Sequence, residues 1–272
     1  MKKSTLYLGE FKQYDKKFIT AENGINPESV CDVAFEGEVL YLTNGESLFQ
    51  YDNGSVKKLT GRVSKLFSKK GKLYGAVGNS LAEIKKGKIK KIADFDCPVV
   101  DISIGLDGSL WLITENDLYL LKDNEFEQVV ELPSETVCLA ALNNKTKYGE
   151  TVYVGSTVEG LLSMKGKRRH WAELLPDNTG VMSKKINCLQ IDALGHLWVG
   201  SDEGLNIYDG KNYWFNGNDF YSIPDGSFND MYFAPDGKKY FATTTGIITL
   251  IEGKIFYFSY GAWLMHPTVT KL

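Results

Sequence analysis

The chain contains 272 residues, of which 43% are hydrophobic, and it carries a formal net charge of -3. This apolar content is sufficient for a packed core, and a charge so close to zero gives no general affinity for nucleic acid or anionic lipid. No stretch approaches the ~18 apolar residues of a membrane-spanning helix, and the N-terminal MKKSTLYLGEF lacks the apolar core of a secretory signal. The sequence therefore predicts a cytoplasmic protein, or a periplasmic or extracellular one if a signal peptide has been removed.

Apolar runs separated by turn-forming residues recur along the chain, and the clearest copy lies between Ile186 and Phe215. It contains four such runs, at residues 186 to 191, 196 to 199, 205 to 208 and 213 to 215. This pattern is typical of four antiparallel strands joined by tight turns, named strands a to d in chain order. The whole chain, residues 1-272, is predicted to form one domain from copies of this unit.

Strand a of each unit is marked by apolar residues at positions i and i+3. These anchors are Val30/Val33, Val63/Leu66, Val99/Ile102, Thr136/Leu139, Ile186/Leu189 and Phe228/Met231. Their spacing falls in and around the ~40 to 50 residues of a propeller blade with four strands. The sequence therefore predicts an all-β propeller of four-stranded antiparallel blades.

Strand b carries an aromatic residue at an equivalent position in every unit. These residues are Tyr41, Tyr74, Trp111, Tyr153, Trp198 and the pair Tyr240-Phe241. Large flat side chains fill the ~10 Å between packed sheets, so we expect them to wedge between adjoining blades. Glycine at positions 37, 71, 108, 195 and 237 predicts a tight hairpin between strands a and b.

The two ends of the chain are predicted to share a seventh blade. Residues 4 to 20 resemble strands b, c and d of a unit that lacks its first strand, with residues 6 to 8 in the place of residues 197 to 199. The missing anchor is found at Val269/Leu272. The sequence thus predicts seven blades, the last closed by both termini, which would remove exposed sheet edges. Six blades are the alternative if residues 269 to 272 form a disordered tail.

The segment DALGHLWVGSDEGLNIYDG, residues 192 to 210, resembles the two-component regulator propeller repeat, whose pattern is approximately D-x-x-G-x-L-W-(I/V)-G-T-x-x-G-L-x-x-Y-D. Weaker copies lie at residues 106 to 123 and 150 to 166. In that family such propellers form ligand-sensing portions of bacterial signalling receptors, commonly outside the cytoplasm. The resemblance therefore implies a ligand-sensing propeller, and related propellers include lyases and lactone hydrolases.

The loops between strands b and c are predicted to surround one mouth of the central channel, where ligand sites concentrate. Their hydroxyl, amide and carboxylate groups suit a sugar, a peptide with basic groups or a cation held by oxygens. The ligand-binding candidates are Glu46, Asn79, Glu115, Asn116, Glu159, Asp202, Glu203 and Thr244. Because Ser, Thr, Asn and Gly also make good turns, a purely turn-forming role for these loops is the alternative.

A basic patch that leads into an aromatic residue predicts a partner-binding site, because arginine and aromatic side chains dominate interface energetics. The candidates, expected at or after the ends of strands d on the same face as the b-to-c loops, are Arg168, Arg169, Trp171, Trp214, Tyr221 and Trp263. The connection at residues 172 to 185 is the longest between units, and long ordered loops are usually functional or mobile.

Position i+2 of strand a holds Asp32, Lys65, Asp101, Cys138, Cys188 and Asp230. These residues are predicted either to line the channel or to play a structural role, by binding backbone amides or pairing with each other, and the two cysteines are predicted to be buried thiols. The three histidines do not cluster, and no nucleophile elbow or phosphate-binding loop occurs. We therefore predict a non-enzymatic binding propeller without a cofactor, for a protein, glycan or peptide. The alternative is a lyase or hydrolase with a divalent cation, such as calcium, held by carboxylates.

Overall fold

A computed structural model of the chain describes residues 19, 21–52, 54–69, 71–143, 150–166, 169–174, 181, 183–209, 214–216, 226–234, 236–259, 264 and 268–272. Within these ranges, 24 strands form six antiparallel sheets of four, and each sheet pairs its strands in chain order. Two short 3-10 helices, Ala21–Asn23 and Pro27–Ser29, precede the first strand. The meander predicted from the apolar runs is confirmed in every sheet.

The six sheets are named blades one to six in chain order. The strands of blades one to three are β1 (Asp32–Glu36), β2 (Val39–Thr43), β3 (Leu48–Asp52), β4 (Ser55–Lys58), β5 (Lys65–Lys69), β6 (Lys72–Val77), β7 (Ser80–Lys85), β8 (Lys88–Asp94), β9 (Val99–Ile104), β10 (Leu110–Thr114), β11 (Asp117–Lys122) and β12 (Glu125–Glu131). Those of blades four to six are β13 (Thr136–Asn143), β14 (Glu150–Ser156), β15 (Leu161–Lys165), β16 (Trp171–Leu174), β17 (Ile186–Ile191), β18 (Leu197–Ser201), β19 (Leu205–Tyr208), β20 (Trp214–Asn216), β21 (Phe228–Phe233), β22 (Lys239–Thr243), β23 (Gly246–Ile251) and β24 (Lys254–Ser259). The first strands of consecutive blades contact one another, so the sheets radiate from a common centre.

The structure shows six blades over the described residues, which is the alternative to the seven predicted from the sequence. Residues 1 to 18 and 20, on which the remaining strands of the seventh blade were predicted, lie outside the described residues. Val269 to Leu272 form no strand ladder. A blade is a sheet of paired strands. The predicted inner strand by itself therefore does not form a seventh blade.

Residues 269 to 272 nevertheless make the contacts of an inner strand with blade six. In three places, the main-chain N–H at anchor position i+3 donates to an aspartate of the preceding blade: Leu66 to Asp32 at 2.9 Å, Leu139 to Asp101 at 2.9 Å and Leu272 to Asp230 at 3.1 Å. A second contact repeats in the same way. Asn187 Nδ2 donates to the carbonyl of Phe228 at 3.1 Å, and Asn229 Nδ2 donates to that of Val269 at 2.8 Å.

The aromatic residues of strand b pack between blades, as the sequence predicts. Trp198 of blade five is 2% exposed and lies against two aromatic rings of blade six, with its ring centroid 5.8 Å from that of Phe241 and 5.4 Å from that of Phe233. Its indole N–H donates to Asp192 Oδ2 at 3.0 Å. The other oxygen of Asp192 accepts the main-chain N–H of His196 at 2.9 Å. Asp192, at the start of the repeat motif, therefore holds both the hairpin between strands a and b and the Trp198 side chain that packs between the blades.

Gly200 of β18 lies opposite Cys188 of β17, and the absence of a side chain at Gly200 leaves room for the thiol. A Cβ atom added at Gly200 would lie 2.5 Å from Cys188 Sγ and 2.9 Å from Phe228 Cβ. Gly155 and Cys138 repeat this arrangement in blade four, where the added Cβ would lie 2.6 Å from the sulfur. In blades four and five, the packing around the buried cysteine therefore requires the glycine that lies two residues after the strand b aromatic.

Gly200→Ala is expected to lower the free energy of unfolding by ~1 to 3 kcal/mol, the usual cost of overpacking a tight core. Cys188→Ala in the same chain should recover part of that loss, because it removes the closer of the two colliding groups. Urea denaturation of both single variants and the double variant measures this. Strictly additive losses in the double variant would contradict the steric explanation.

Candidate functional site

The turns between strands b and c lie at one end of the blades, named the top face. Strand b runs antiparallel to strand a, so each turn returns to the residues that precede strand a. Thr157 N–H donates to the carbonyl of Glu135 at 3.1 Å, and Thr244 N–H donates to that of Ser227 at 3.1 Å. The turns therefore meet the inner strands at one mouth of the ring, as predicted, while the a-to-b hairpins lie on the opposite, bottom face.

Strand b ends in a hydroxyl residue in five of the six blades. These residues are Thr43, Thr114, Ser156, Ser201 and Thr243, each 0 to 2% exposed. Their hydroxyl oxygens accept main-chain N–H groups two or three residues further on, as in Gly45 to Thr43 at 3.0 Å and Glu159 to Ser156 at 2.9 Å. The hydroxyl groups are thus committed to shaping the turns, and the turn-forming alternative is correct for them.

Three of the ligand-binding candidates also hold the top face together. Asn79 Nδ2 donates to the carbonyl of Asp96 at 2.8 Å, and Asn116 Nδ2 donates to Cys97 Sγ at 3.1 Å. Glu159 Oε1 accepts the main-chain N–H of Ser134 at 2.7 Å. Each bond ties a b-to-c turn to a connection between blades, so these side chains have a structural partner already.

Among the remaining candidates, the three glutamates Glu46, Glu115 and Glu203 are more open to a ligand. The carboxylate of Glu46 lies 3.4 Å from Arg62 Nη2, but both side chains are more than 70% exposed, so this ion pair is weak. Glu115 and Glu203 are exposed. Asp202 Oδ1 is buried without a hydrogen-bond partner. The main-chain carbonyl of Thr244 accepts a hydrogen bond from the Thr268 hydroxyl at 3.5 Å.

Metal ligands do not converge in the part of the chain that the structure describes. Among those residues, no group of three or more His, Cys, Asp or Glu side chains is arranged to hold a metal ion. The top-face carboxylates come from several blades, and two of them, Asp202 and Glu203, share the b-to-c turn of blade five.

Two partner-binding candidates lie elsewhere than the sequence predicts. β16 begins at Trp171 instead of ending there, so Arg169 and Trp171 follow the c-to-d turn on the bottom-face side. The Trp171 indole N–H donates to the carbonyl of Glu131 at 2.8 Å, and Arg169 Nη1 donates to that of Val129 at 3.4 Å. Both side chains cover the edge of β12 in blade three, which protects an otherwise unpaired strand.

Of the four other partner-binding candidates, only Trp214 lies within the described residues. Trp214 begins β20, as Trp171 begins β16, so it also lies at the start of a strand d. Arg168, Tyr221 and Trp263 lie outside the described residues, as do positions 175 to 180 and 182 of the long connection. A partner-binding role for this set remains a prediction.

The aspartates at position i+2 bind backbone amides, as in the structural role predicted for them. Asp32 Oδ1 accepts the N–H of Val33 at 3.0 Å, while its other oxygen accepts the Leu66 N–H described above. Burial raises the pKa of the Asp32 carboxyl, although Lys271 and the amide donors oppose this. Lys271, which is not among the residues predicted from the sequence, occupies position i+2 after the Val269 anchor.

Lys271 brings a positive charge to the place where blades six and one approach each other. Its Nζ lies 3.5 Å from Asp230 Oδ2. Partial removal from water lowers the pKa of Lys271, but the carboxylates of Asp230, Asp32 and Asp101 more than offset this and raise it above its ordinary value. Lys271 is therefore placed to offset the negative charge of aspartates from three different blades.

Cys138 and Cys188 are buried thiols, as predicted, and burial raises the pKa of the Cys188 thiol well above its ordinary value. Cys31 is exposed and Cys97 is partly exposed, and all four cysteines are free. The two buried thiols act as small apolar residues beside Gly155 and Gly200, because a thiol that resists deprotonation is a poor nucleophile and metal ligand.

Comparison with solved structures places this architecture among known folds. The structure resembles the extracellular domains of two proteins described as hybrid two-component systems of Bacteroides thetaiotaomicron. For one, the TM-score is 0.70 at 14% identity, covering 93% of this chain and 38% of that domain. For the other, it is 0.64 at 17% identity, covering 96% of this chain and 37% of that domain. The chain has a β-propeller fold.

The propeller also resembles an enzyme. Virginiamycin B lyase from Staphylococcus aureus superposes with a TM-score of 0.57 at 12% identity, covering 85% of this chain and 84% of the lyase. The chain spans less than two fifths of the length of the two receptor domains. No protein-family model matches the sequence, and the search of curated proteins finds no match. At these identities the likenesses show the propeller fold.

No helix in the described ranges is long and apolar enough to cross a membrane.

Proposed function

We propose that this propeller is a non-enzymatic sensor or interaction module that binds a glycan, a peptide or a protein on its top face. Glu115 and Glu203 carry the proposal. They are exposed on that face, and their carboxylates form no hydrogen bond or ion pair with the described residues. Their charge favours a ligand that offers basic groups or hydroxyls. The likeness to receptor extracellular domains supports a sensing role.

The same likeness supports a location outside the cytoplasm, which we include in the proposal. Both receptor domains with this fold are extracellular. A polar top face is suited to small molecules or polymers that reach a cell from its surroundings. The sensing role and the location outside the cytoplasm therefore form one hypothesis. Identification of the bound ligand would test it.

Binding to arrays of basic peptides and of glycans tests the proposal. For any ligand that binds, Glu115→Gln with Glu203→Gln is expected to raise the Kd ~10-fold or more, because charge-assisted hydrogen bonds contribute roughly 1.5 to 3 kcal/mol. The matched control is Glu125→Gln with Glu252→Gln, which removes the same charge at the opposite, bottom-face ends of the blades. Isothermal titration calorimetry at low salt measures the Kd of the unchanged protein, the top-face variant and the control variant.

Loss of binding in the control variant but not in the top-face variant would contradict the site. Binding that is lost only with Arg169→Ala and Trp171→Ala would move it to the bottom face. A second candidate function is a lyase or hydrolase with a divalent cation such as calcium, which the likeness to virginiamycin B lyase favours. Calcium-dependent conversion of a bound ligand into a product would support that candidate instead.

A ring of seven blades also belongs to this proposal, because it determines how many turns surround the mouth. The bonds from Asn229 to Val269 and from Leu272 to Asp230 support it, since each repeats a contact that a complete blade makes with the blade before it. Lys271 supports it as well, because position i+2 of an inner strand carries a charged residue in four other blades.

A further inference from the structure

A groove opens at the outer rim of the ring, between blades two and three. Residues 92 to 96, at the end of β8 and just after it, line one side, and Tyr119, Asn124 and Phe126 of blade three line the other. The volume of this cavity is about 450 Å³, which lies within the ~300 to 1,000 Å³ typical of ligand sites. It is named the rim groove.

Three aromatic rings form the apolar wall of the rim groove. The ring centroid of Phe95 lies 4.9 Å from that of Tyr119 and 5.3 Å from that of Phe126, and both pairs meet edge to face. All three side chains are half-buried and pack against the core shared by blades two and three. The core therefore holds the rings in place, while part of each ring stays open to the groove.

Negative charge lies beside this aromatic wall. Asp94 forms an ion pair with Lys91, whereas the carboxylate of Asp96 is exposed and makes no hydrogen bond or ion pair with the described residues. Burial raises the pKa of the Tyr119 hydroxyl, and the nearby carboxylates of Asp117 and Asp96 raise it further. Among the described residues, no lysine, arginine or histidine lines the groove. The groove is therefore suited to a cation.

The next junction of the ring, between blades three and four, shows what crosses the equivalent space. By strand register, Arg169 of blade four corresponds to Asn124 of blade three, and both have positive φ angles, 41° and 69°. Val129 likewise corresponds to Ile92, since each is the extra residue of a β-bulge in strand d. Arg169 Nη1 donates to the carbonyl of Val129 at 3.4 Å. At this junction a guanidinium group of the chain itself therefore reaches across.

The rim groove has the opposite arrangement of charge. Its counterpart of Arg169 is the short, neutral Asn124. The N–H groups of Phe95 and Leu132 make the same bond to a b-to-c turn, so Asp96 after Phe95 corresponds to Pro133 after Leu132. The rim groove thus has a carboxylate where the next junction has none, and it lacks the guanidinium that the next junction supplies.

We infer that the rim groove binds an arginine side chain from a segment of another protein, with the guanidinium paired to Asp96 and packed against Phe95 and Tyr119. Guanidinium groups stack on aromatic rings and bind carboxylates through two parallel hydrogen bonds, and they are less strongly hydrated than an ammonium group. The carbonyl of Ile92 stands where that of Val129 accepts Arg169. This site is separate from the top face, so both sites can be occupied together.

An NMR titration of the full chain tests this inference. The δ1 methyl group of isoleucine and the β methyl group of alanine carry carbon-13, and the resonances of Ile92 and Ala93 report on the groove that they line. The probe is N-acetylarginine amide, and its neutral isostere, N-acetylcitrulline amide, is the control. The arginine probe is expected to shift both resonances saturably. The citrulline probe should bind ~10-fold more weakly, because hydrogen bonds to charged groups are the stronger ones.

Two pairs of variants locate the bound probe. Asp96→Asn is expected to raise the Kd of the arginine probe ~10-fold, whereas Glu252→Gln, which removes a charge from the c-to-d turn of blade six, should leave it unchanged. Asn124→Arg supplies the guanidinium that Arg169 supplies at the next junction, and it is expected to block the probe. Asn124→Gln, its uncharged control, should block the probe less.

Equal shifts with the arginine and citrulline probes, or an unchanged Kd in Asp96→Asn, would overturn the inference. Saturable shifts of the two methyl resonances by maltotriose, with none by the arginine probe, would also overturn it and assign the groove to a glycan. The same spectra show whether each variant is folded. Because the measured resonances belong to the rim groove, these outcomes are independent of ligand binding on the top face.

Discussion

Trp198→Ala is expected to lower the free energy of unfolding by ~3 to 5 kcal/mol, the range for removing a large aromatic side chain from a core. Trp198 is 2% exposed and fills the space between blades five and six. Its loss opens a cavity against Phe241 and Phe233 and leaves Asp192 without the indole donor. Lys239 Nζ, which lies 5.2 Å from the ring centroid, loses a cation–π contact. Guanidinium denaturation measures the change.

Trp171→Ala is the matched control, because it removes the same side chain from an outer strand. Trp171 is half-buried on β16 and makes a hydrogen bond to a main-chain carbonyl, so its loss should cost less than half as much. Equal denaturation midpoints for the two variants would contradict the role of strand b aromatics as wedges between blades.

Deletion of residues 269 to 272 is expected to cost ~2 to 4 kcal/mol. Val269 and Leu272 would lose their partial burial, at most ~1.5 to 3 kcal/mol for each fully buried side chain, and partly buried polar groups would lose their partners. Asp230 would lose the Leu272 amide and the Lys271 ammonium, and Asn229 would lose an acceptor. The exposed inner edge of blade six should also promote association.

Thermal melting and light scattering of the shortened chain measure both effects. Lys271→Met in the full chain is the control, since it removes the charge but keeps the main-chain contacts of residues 269 to 272. The Lys271→Met protein should lose less stability than the shortened chain does. A shortened chain that melts within about a degree of the full chain and remains monomeric would show that these residues do not close the ring.

The sequence by itself determined the blade. Alternating apolar runs, the period of the anchors and the glycine hairpins are local features, and local hydrogen bonds and turn geometry enforce them. Gly108 and Gly195, for example, have positive φ angles of 92° and 85°, a conformation that favours glycine and that the sequence alone predicts. The aromatic of strand b could be predicted too, because it recurs at a fixed distance from those turns.

Only the tertiary structure decided which partners the polar residues of each blade bind. The amide partner of Asp101 lies 38 residues further along the chain, in the next blade, and no local pattern reveals it. Trp171 was predicted at the end of strand d and lies at its beginning, because pairing with Met164 of β15 sets where β16 starts. These contacts depend on how strands and neighbouring blades pack, which involves residues far apart in the chain, and the repeat pattern of the sequence does not encode them.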